Sequence, residues 1–250
     1  IKELVNQETG EVYSHTQASQ VFALYYDLLP DDRQVKSKVL DVLLDEIYRQ
    51  HRGHLSTGIF TTKMMFNYLS DIGRDDVVYD MVSKKDFPGY GYMLDNGATT
   101  LWENWSFKTG DSKNHPMFGS VSEWFHKSVL GIQQTSESVG FKQIVIKPAV
   151  VGALTSAEGH YESIRGKIGS KWWKFGDDLH LEVEIPANTT ALVHLPLNLK
   201  QKPSIHEQAT LLMENGETIQ DASPTIQPIG KRGDYQVFEV GSGRYSFVVR

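Results

Sequence analysis

FKQIVIKPAV, residues 141–150, is where the chain changes character. Its side chains alternate in the two-residue rhythm of a strand. Downstream, GHYESIRGKIGSKWWKFGDDLHLEVEIPANTTALVHLPL (159–197) gives short alternating runs broken by Gly, Asp and Asn turns. YQVFEV (235–240) and RYSFVVR (244–250) close the chain in the same style. Short strands with turns at this spacing predict a β-sandwich.

Upstream of the switch the rhythm is helical. In SHTQASQVFALYYDLLP (14–30), Val21, Phe22, Leu24, Tyr25, Leu28 and Leu29 recur at three-and-four spacing and Pro30 closes the run. Asp31 and Asp32 open the next segment, where Val35, Val39, Val42, Leu43 and Ile47 make one stripe. A third helix is expected over GIFTTKMMFNYLSDIGR (58–74), with Gly73 at its left-handed cap. A fourth begins at RDDVVYDMVSKKD (74–86), acidic residues in its first turn. FPGYGYMLDNGATT (87–100) reads as loop, and GSVSEWFHKSVLGIQ (119–133) as a further helix. The fold class is therefore multidomain α and β, with the boundary between Ile132 and Gln143: residues 1–136 helical, 137–250 all-β. Five or six helices joined by short loops stack as a bundle, a solenoid or an (α/α) toroid.

Composition narrows the chemistry. With 40% hydrophobic and 22% charged residues, the chain has the make-up of a folded globular protein rather than a disordered one. The net charge of -6, without a basic stripe, speaks against a nucleic-acid partner. Zero cysteines exclude disulfides, thiolate metal sites and a cysteine nucleophile. No run of about 18 apolar residues exists, so no membrane-spanning helix is expected. The opening IKELVNQETG lacks the basic and apolar segments of a signal peptide, and lacks Met, which suggests a processed product or a fragment.

The chemistry concentrates in GATTLWENWSFKTGDSKNHPMFGSVSEWF (97–125). Glu103 stands between Trp102 and Trp105. Indole rings stack on the C–H faces of sugars, and a carboxylate beside them accepts hydroxyl protons or activates water. An ordinary glutamate beside core tryptophans fits the same pattern. His115 precedes Pro116, which biases it towards an extended loop conformation. It can donate to a substrate hydroxyl or serve as a surface or capping histidine. Glu123 and Trp124 read as helix packing. His51 and His54, interrupted by Gly53, make a weak metal pattern. Of Trp172 and Trp173 at most one faces the core, because adjacent strand residues point to opposite faces. Phosphate-loop and nucleophile-elbow patterns are missing from the sequence, and no cofactor is expected.

Several segments in order, HLSTGIFTTKMMFNYLSDIGR, YMLDNGATTLWENW, NHPMFGSVSEWFHKSVLGI, GHYESIRGKIGSKW and EIPANTTALVHLP, resemble the C-terminal portion of bacterial α-L-rhamnosidases. The resemblance covers nearly the whole chain. It implies a partial (α/α)6 toroid followed by a C-terminal β-sandwich, and an activity that removes terminal, non-reducing α-L-rhamnose with inversion. It implies that Glu103, in the TT-[LI]-W-E position, is the general base, and that His115, in NH-x-x-FG, lines the sugar site with Trp102, Trp105 and Tyr92. Tyr90 and Met93 are further candidates for the apolar wall that the sugar's methyl group requires. The family's general acid lies in an upstream acidic segment (D-x-P-x-R-x-E-R, then W-x-G-D) that no stretch here matches. The Glu103–His115 stretch is also short for the family, which suggests a trimmed pocket rim. The expectation is a fragment that supplies the base but not the acid. Its partners would be rhamnose-containing glycans and the N-terminal remainder of the enzyme. Two alternatives stay open: another (α/α)-barrel glycosidase, and a non-catalytic carbohydrate-binding or scaffold module.

Overall fold

The computed structural model describes residues 4–106, 111–199 and 201–250. The first residues of the opening stretch and the middle of the Glu103–His115 stretch thus lie outside the described residues. The chain forms two compact units, Ile1–Trp124 and Phe125–Arg250.

The first unit is helical. Helix α1 (Gln17–Tyr25) begins where the Thr16 side chain accepts from the Ser19 N–H, satisfying one of the free donors of its first turn. Val21 and Leu24 are buried, whereas Phe22, Tyr25 and Leu28 of the same apolar run stay more than a third exposed. Helix α2 (Arg33–Asp45) is capped by Asp32, which accepts from the Gln34 N–H at 2.7 Å. The stripe read from the sequence is its inner face: Val35, Val39 and Leu43 are buried, and so is Ile47 in the π turn Glu46–Gln50 that continues it. Helix α3 (Thr61–Asp71) buries Met65, Phe66 and Leu69. It ends at Gly73, φ +77°, a left-handed position that suits glycine. Helix α4 (Asp75–Val82) follows, with Asp75 and Asp76 in its first turn.

Residues 90–95 depart from the expected loop and form a short helix, α5 (Tyr90–Asp95). Tyr90 and Met93, three residues apart, lie on one face and are buried, which outweighs the Pro and Gly signals around them. Gly91 has a packing reason to be glycine: a Cβ there would sit 2.6 Å from the Lys84 carbonyl oxygen. A 3-10 turn over Pro116–Gly119 leads into α6 (Ser120–Trp124). Here Glu123 pairs with Lys63 at 2.6 Å, and the Trp124 indole donates to Asp75 at 2.8 Å, so both serve packing.

The second unit opens with a π turn at Phe125–Val129 and continues as twelve strands among the described residues. They are β1 (Ile132–Gln134), β2 (Gln143–Ile146), β3 (Ser156–Ser163), β4 (Gly166–Phe175), β5 (Asp178–Ile185), β6 (Thr190–Pro196), β7 (Ile205–Glu207), β8 (Thr210–Glu214), β9 (Glu217–Thr218), β10 (Ile226–Arg232), β11 (Tyr235–Val240) and β12 (Gly243–Val249). One sheet runs β1-β2-β6-β11-β10 and the other β3-β4-β5-β12-β7-β8-β9. Pairing is antiparallel except for β2 with β6. Phe238 of the first sheet stacks on Phe247 of the second, centroids 6.5 Å apart, so inner faces meet as in a sandwich. Trp172 is fully buried and its indole donates to the Val129 carbonyl at 2.8 Å. Trp173 points the other way and stacks on His180 at 4.8 Å, the alternation expected of a strand.

Candidate functional site

The five sequence candidates, Tyr92, Trp102, Glu103, Trp105 and His115, all lie in the first unit. Four of them sit on an irregular two-stranded arm between α5 and α6. Its two sides pair through the main chain: the Glu103 N–H donates to the Ser112 carbonyl at 2.9 Å, and the His115 N–H to the Leu101 carbonyl at 2.7 Å. The Thr100 hydroxyl adds a hydrogen bond to the Lys113 carbonyl. This pairing brings Glu103 and His115 onto one arm although they stand well apart in sequence.

The Glu103 side chain is half-buried and accepts from the Ser112 N–H at 3.1 Å. One carboxylate oxygen is thereby oriented by the backbone of its own arm. His115 caps the 3-10 turn, its Nδ1 accepting from the Met117 N–H at 3.4 Å. The loop position and the capping role read from the sequence for this residue are both met.

The two indoles are more deeply placed. Trp102 is 2% exposed, with the Lys113 ammonium 4.8 Å from its ring centre. Trp105 is 7% exposed, and its N–H donates to the Thr57 carbonyl at 2.8 Å. Phe118 lies against the Trp105 ring at 4.0 Å and Tyr90 meets it edge-on at 5.2 Å. Burial raises the Tyr90 phenol pKa, and its O–H donates to the Phe118 carbonyl at 3.0 Å. Tyr92 is partly exposed on α5 and packs edge-on against Phe87 at 5.2 Å.

Thr57, which bonds this arm, and Gln17, which bonds the main chain just before Thr57, carry no signature in the sequence. Gln17 and Thr57 are buried and act through main-chain groups, which any residue type supplies. The histidine pair serves the loops instead. His54 meets the Pro88 carbonyl at 3.0 Å and Asp86 at 3.3 Å, and His51 meets the Glu46 carbonyl at 2.9 Å. Among the described residues no group of three His, Asp or Glu side chains has the placement of a metal site, and no helix is long and apolar enough to cross a membrane. The helical unit also has a cavity of about 490 Å³ lined by Tyr48, Arg52, Gly53, Asp80, Ser83 and Lys84. A groove of about 500 Å³ crosses the outer face of β3, β4, β5 and β12. Its charges are largely paired, Lys171 with Glu158 at 3.1 Å and Arg244 with Glu184 at 2.9 Å. Neither cavity is lined by a sequence candidate.

Residues 1–129 match the model of the bacterial alpha-L-rhamnosidase 6 hairpin glycosidase domain, and residues 131–210 that of the bacterial alpha-L-rhamnosidase C-terminal domain. An alpha-L-rhamnosidase of Streptomyces avermitilis is 31% identical over 249 residues, which is 96% of this chain and 22% of that protein. An alpha-L-rhamnosidase of an Alteromonas species is 32% identical over 185 residues, 70% of this chain and 20% of that protein. Among solved structures, the alpha-L-rhamnosidase from Dictyoglumus thermophilum matches with a TM-score of 0.83 at 32% identity, covering 94% of this chain and 25% of that one. The Streptomyces avermitilis enzyme, solved in complex with L-rhamnose, matches with a TM-score of 0.83 at 28% identity, covering 100% and 23%. The chain thus spans about a fifth to a quarter of the length of these relatives.

Proposed function

Because this chain belongs to the bacterial α-L-rhamnosidase family, we propose that it is the part of an inverting glycosidase that supplies the general base, and that Glu103 is that base. The intact enzyme would release terminal α-L-rhamnose from a glycan or glycoside. The observation that carries this reading is the arm itself. It fixes one oxygen of a half-buried carboxylate on the Ser112 N–H and carries His115 on its opposite side.

Inversion needs two carboxyl groups about 6.5–9.5 Å apart, one giving a proton to the leaving oxygen and one taking a proton from water. In this reading Glu103 takes the water proton as the new C–O bond forms and the glycosidic C–O bond breaks. The leaving oxygen is protonated by an acid outside this chain. His115 and the exposed face of Tyr92 are assigned to the sugar. Trp102 and Trp105 are assigned to the wall behind the carboxylate, because so little of either ring is exposed.

The test is Glu103→Gln in the full-length enzyme on an aryl α-L-rhamnoside. Loss of the base should lower kcat by about 10²–10⁴-fold with the fold intact. Azide added to Glu103→Ala should restore turnover and give the rhamnosyl azide of inverted configuration. Near-normal turnover of Glu103→Gln removes Glu103 from the role.

A further inference from the structure

The described residues of the arm that carries Glu103 belong to no helix or sheet, so its position depends on a few anchors. One is the Ser112 pairing. Another is the Trp105 indole, two residues beyond Glu103, which reaches the Thr57 carbonyl at 2.8 Å. What holds Thr57 is a buried glutamine at the start of α1. Gln17 has no exposed surface; its Nε2 donates to the His54 carbonyl and its Oε1 accepts from the Ser56 N–H, both at 2.9 Å. One amide thus does for residues 54–56 what a neighbouring strand would do, holding the main chain at a carbonyl and an N–H.

Hydroxyls lock the next turn. Thr62 gives its single hydroxyl proton to the Gly58 carbonyl at 2.8 Å. Thr57, whose Oγ1 is 2.8 Å from that of Thr62, must therefore be the donor in that pair. Both threonines are buried with their hydroxyls bonded, so the Thr57 carbonyl is presented to Trp105 from a bonded polar network.

We propose that Gln17 is a positioning residue for Glu103, acting through the Ser56–Thr57 main chain and the Trp105 indole, a role that rests on Glu103 being the general base. Removing the amide leaves the buried His54 carbonyl and the Ser56 N–H without their partner, and the segment relaxes to find water. Thr57 moves with it, the indole loses its acceptor, and the carboxylate two residues away is no longer aimed at the water it activates.

Gln17→Met keeps the volume and removes the amide. Trp105→Phe removes the indole N–H, and takes over if Gln17→Met does not fold. In the full-length enzyme each should lower kcat by on the order of 10²-fold with KM nearly unchanged, as expected of a displaced catalytic group. Amide hydrogen exchange at Glu103 and His115 should speed up. Combining Gln17→Met with Glu103→Ala should lower the rate no further than Glu103→Ala alone, because the two act on one function. The proposal is overturned if kcat of folded Gln17→Met, or of Trp105→Phe where Gln17→Met does not fold, stays within about twofold of the parent, or if Gln17→Met lowers the rate again in the Glu103→Ala background. If Glu103→Ala itself turns over normally, the base assignment fails and exchange decides alone. Faster exchange at Glu103 then keeps Gln17 as the clamp on this arm, and unchanged exchange removes it.

Discussion

A single residue, His194, sets a pH limit on the second unit. It sits on β6, 8% exposed, with its ring edge-on to Tyr235 at 6.0 Å and Nδ1 3.3 Å from the Leu192 carbonyl. Burial, with smaller contributions from Lys147 and Arg232, brings its pKa down from 6.5 to about 4. The folded state therefore resists a proton that the unfolded chain accepts. Stability from this group is fully present above about pH 6.5, falls as pH drops, and levels off below about pH 4. A shift of this size is worth on the order of 3 kcal/mol. Denaturant midpoints followed by tryptophan fluorescence should fall between pH 7 and pH 5, and His194→Gln should flatten that slope. An unchanged slope in the variant would assign the acid sensitivity elsewhere. The residue scale also separates two adjacent tryptophans. Trp172 donates to the Val129 carbonyl from a buried position and Trp173 stacks on the outer His180. The strand alternation predicted that split; the partners of each ring came only from the fold.

At the scale of elements, caps and stripes were legible and α5 was not. Asp32, Asp75, Asp76 and Gly73 stand where helix-end chemistry expects them, because the free N–H and C=O groups of a helix end are satisfied by neighbours in sequence. α5 was hidden by FPGYG, whose glycines and proline spoke for a loop. Gly91 answers to a distant demand instead, the close approach of the Lys84–Lys85 backbone. Gly91→Ala should therefore push α5 away from that backbone and destabilise the helical unit by about 1–3 kcal/mol. Gly119→Ala is the control, since its Cβ would meet only the Leu101 side chain, at 3.7 Å; its effect should stay within about 0.5 kcal/mol. Equal losses in thermal midpoint for the two variants would discard the close-approach explanation.

On the scale of the whole molecule, the chain corresponds to about a fifth to a quarter of an α-L-rhamnosidase. The proposed base is here and the proposed acid is not, and general-acid help is typically worth about 10²–10⁴-fold. The 250-residue chain purified alone should therefore turn over an aryl α-L-rhamnoside negligibly, measured against its full-length parent. Robust turnover by the isolated chain would mean that both carboxyl groups reside in it and that the division of roles proposed above is wrong.

By itself the sequence determined what depends on neighbours along the chain: which segments coil, which extend, where the rhythm changes, and, through several ordered motifs, the family. Periodicity and capping are local, so they survive without a fold. Only the tertiary structure decided what depends on residues far apart. β2 lies parallel to β6, and no local pattern specifies that neighbour. Glu103 and His115 share an arm because main-chain groups of residues 101 and 103 pair with those of residues 115 and 112. Gln17 reaches the same arm through the carbonyl and N–H groups of residues 54 and 56 and the Thr57 carbonyl. Main-chain hydrogen bonds look the same for every residue type, so their partners cannot be read from letters and are settled by packing.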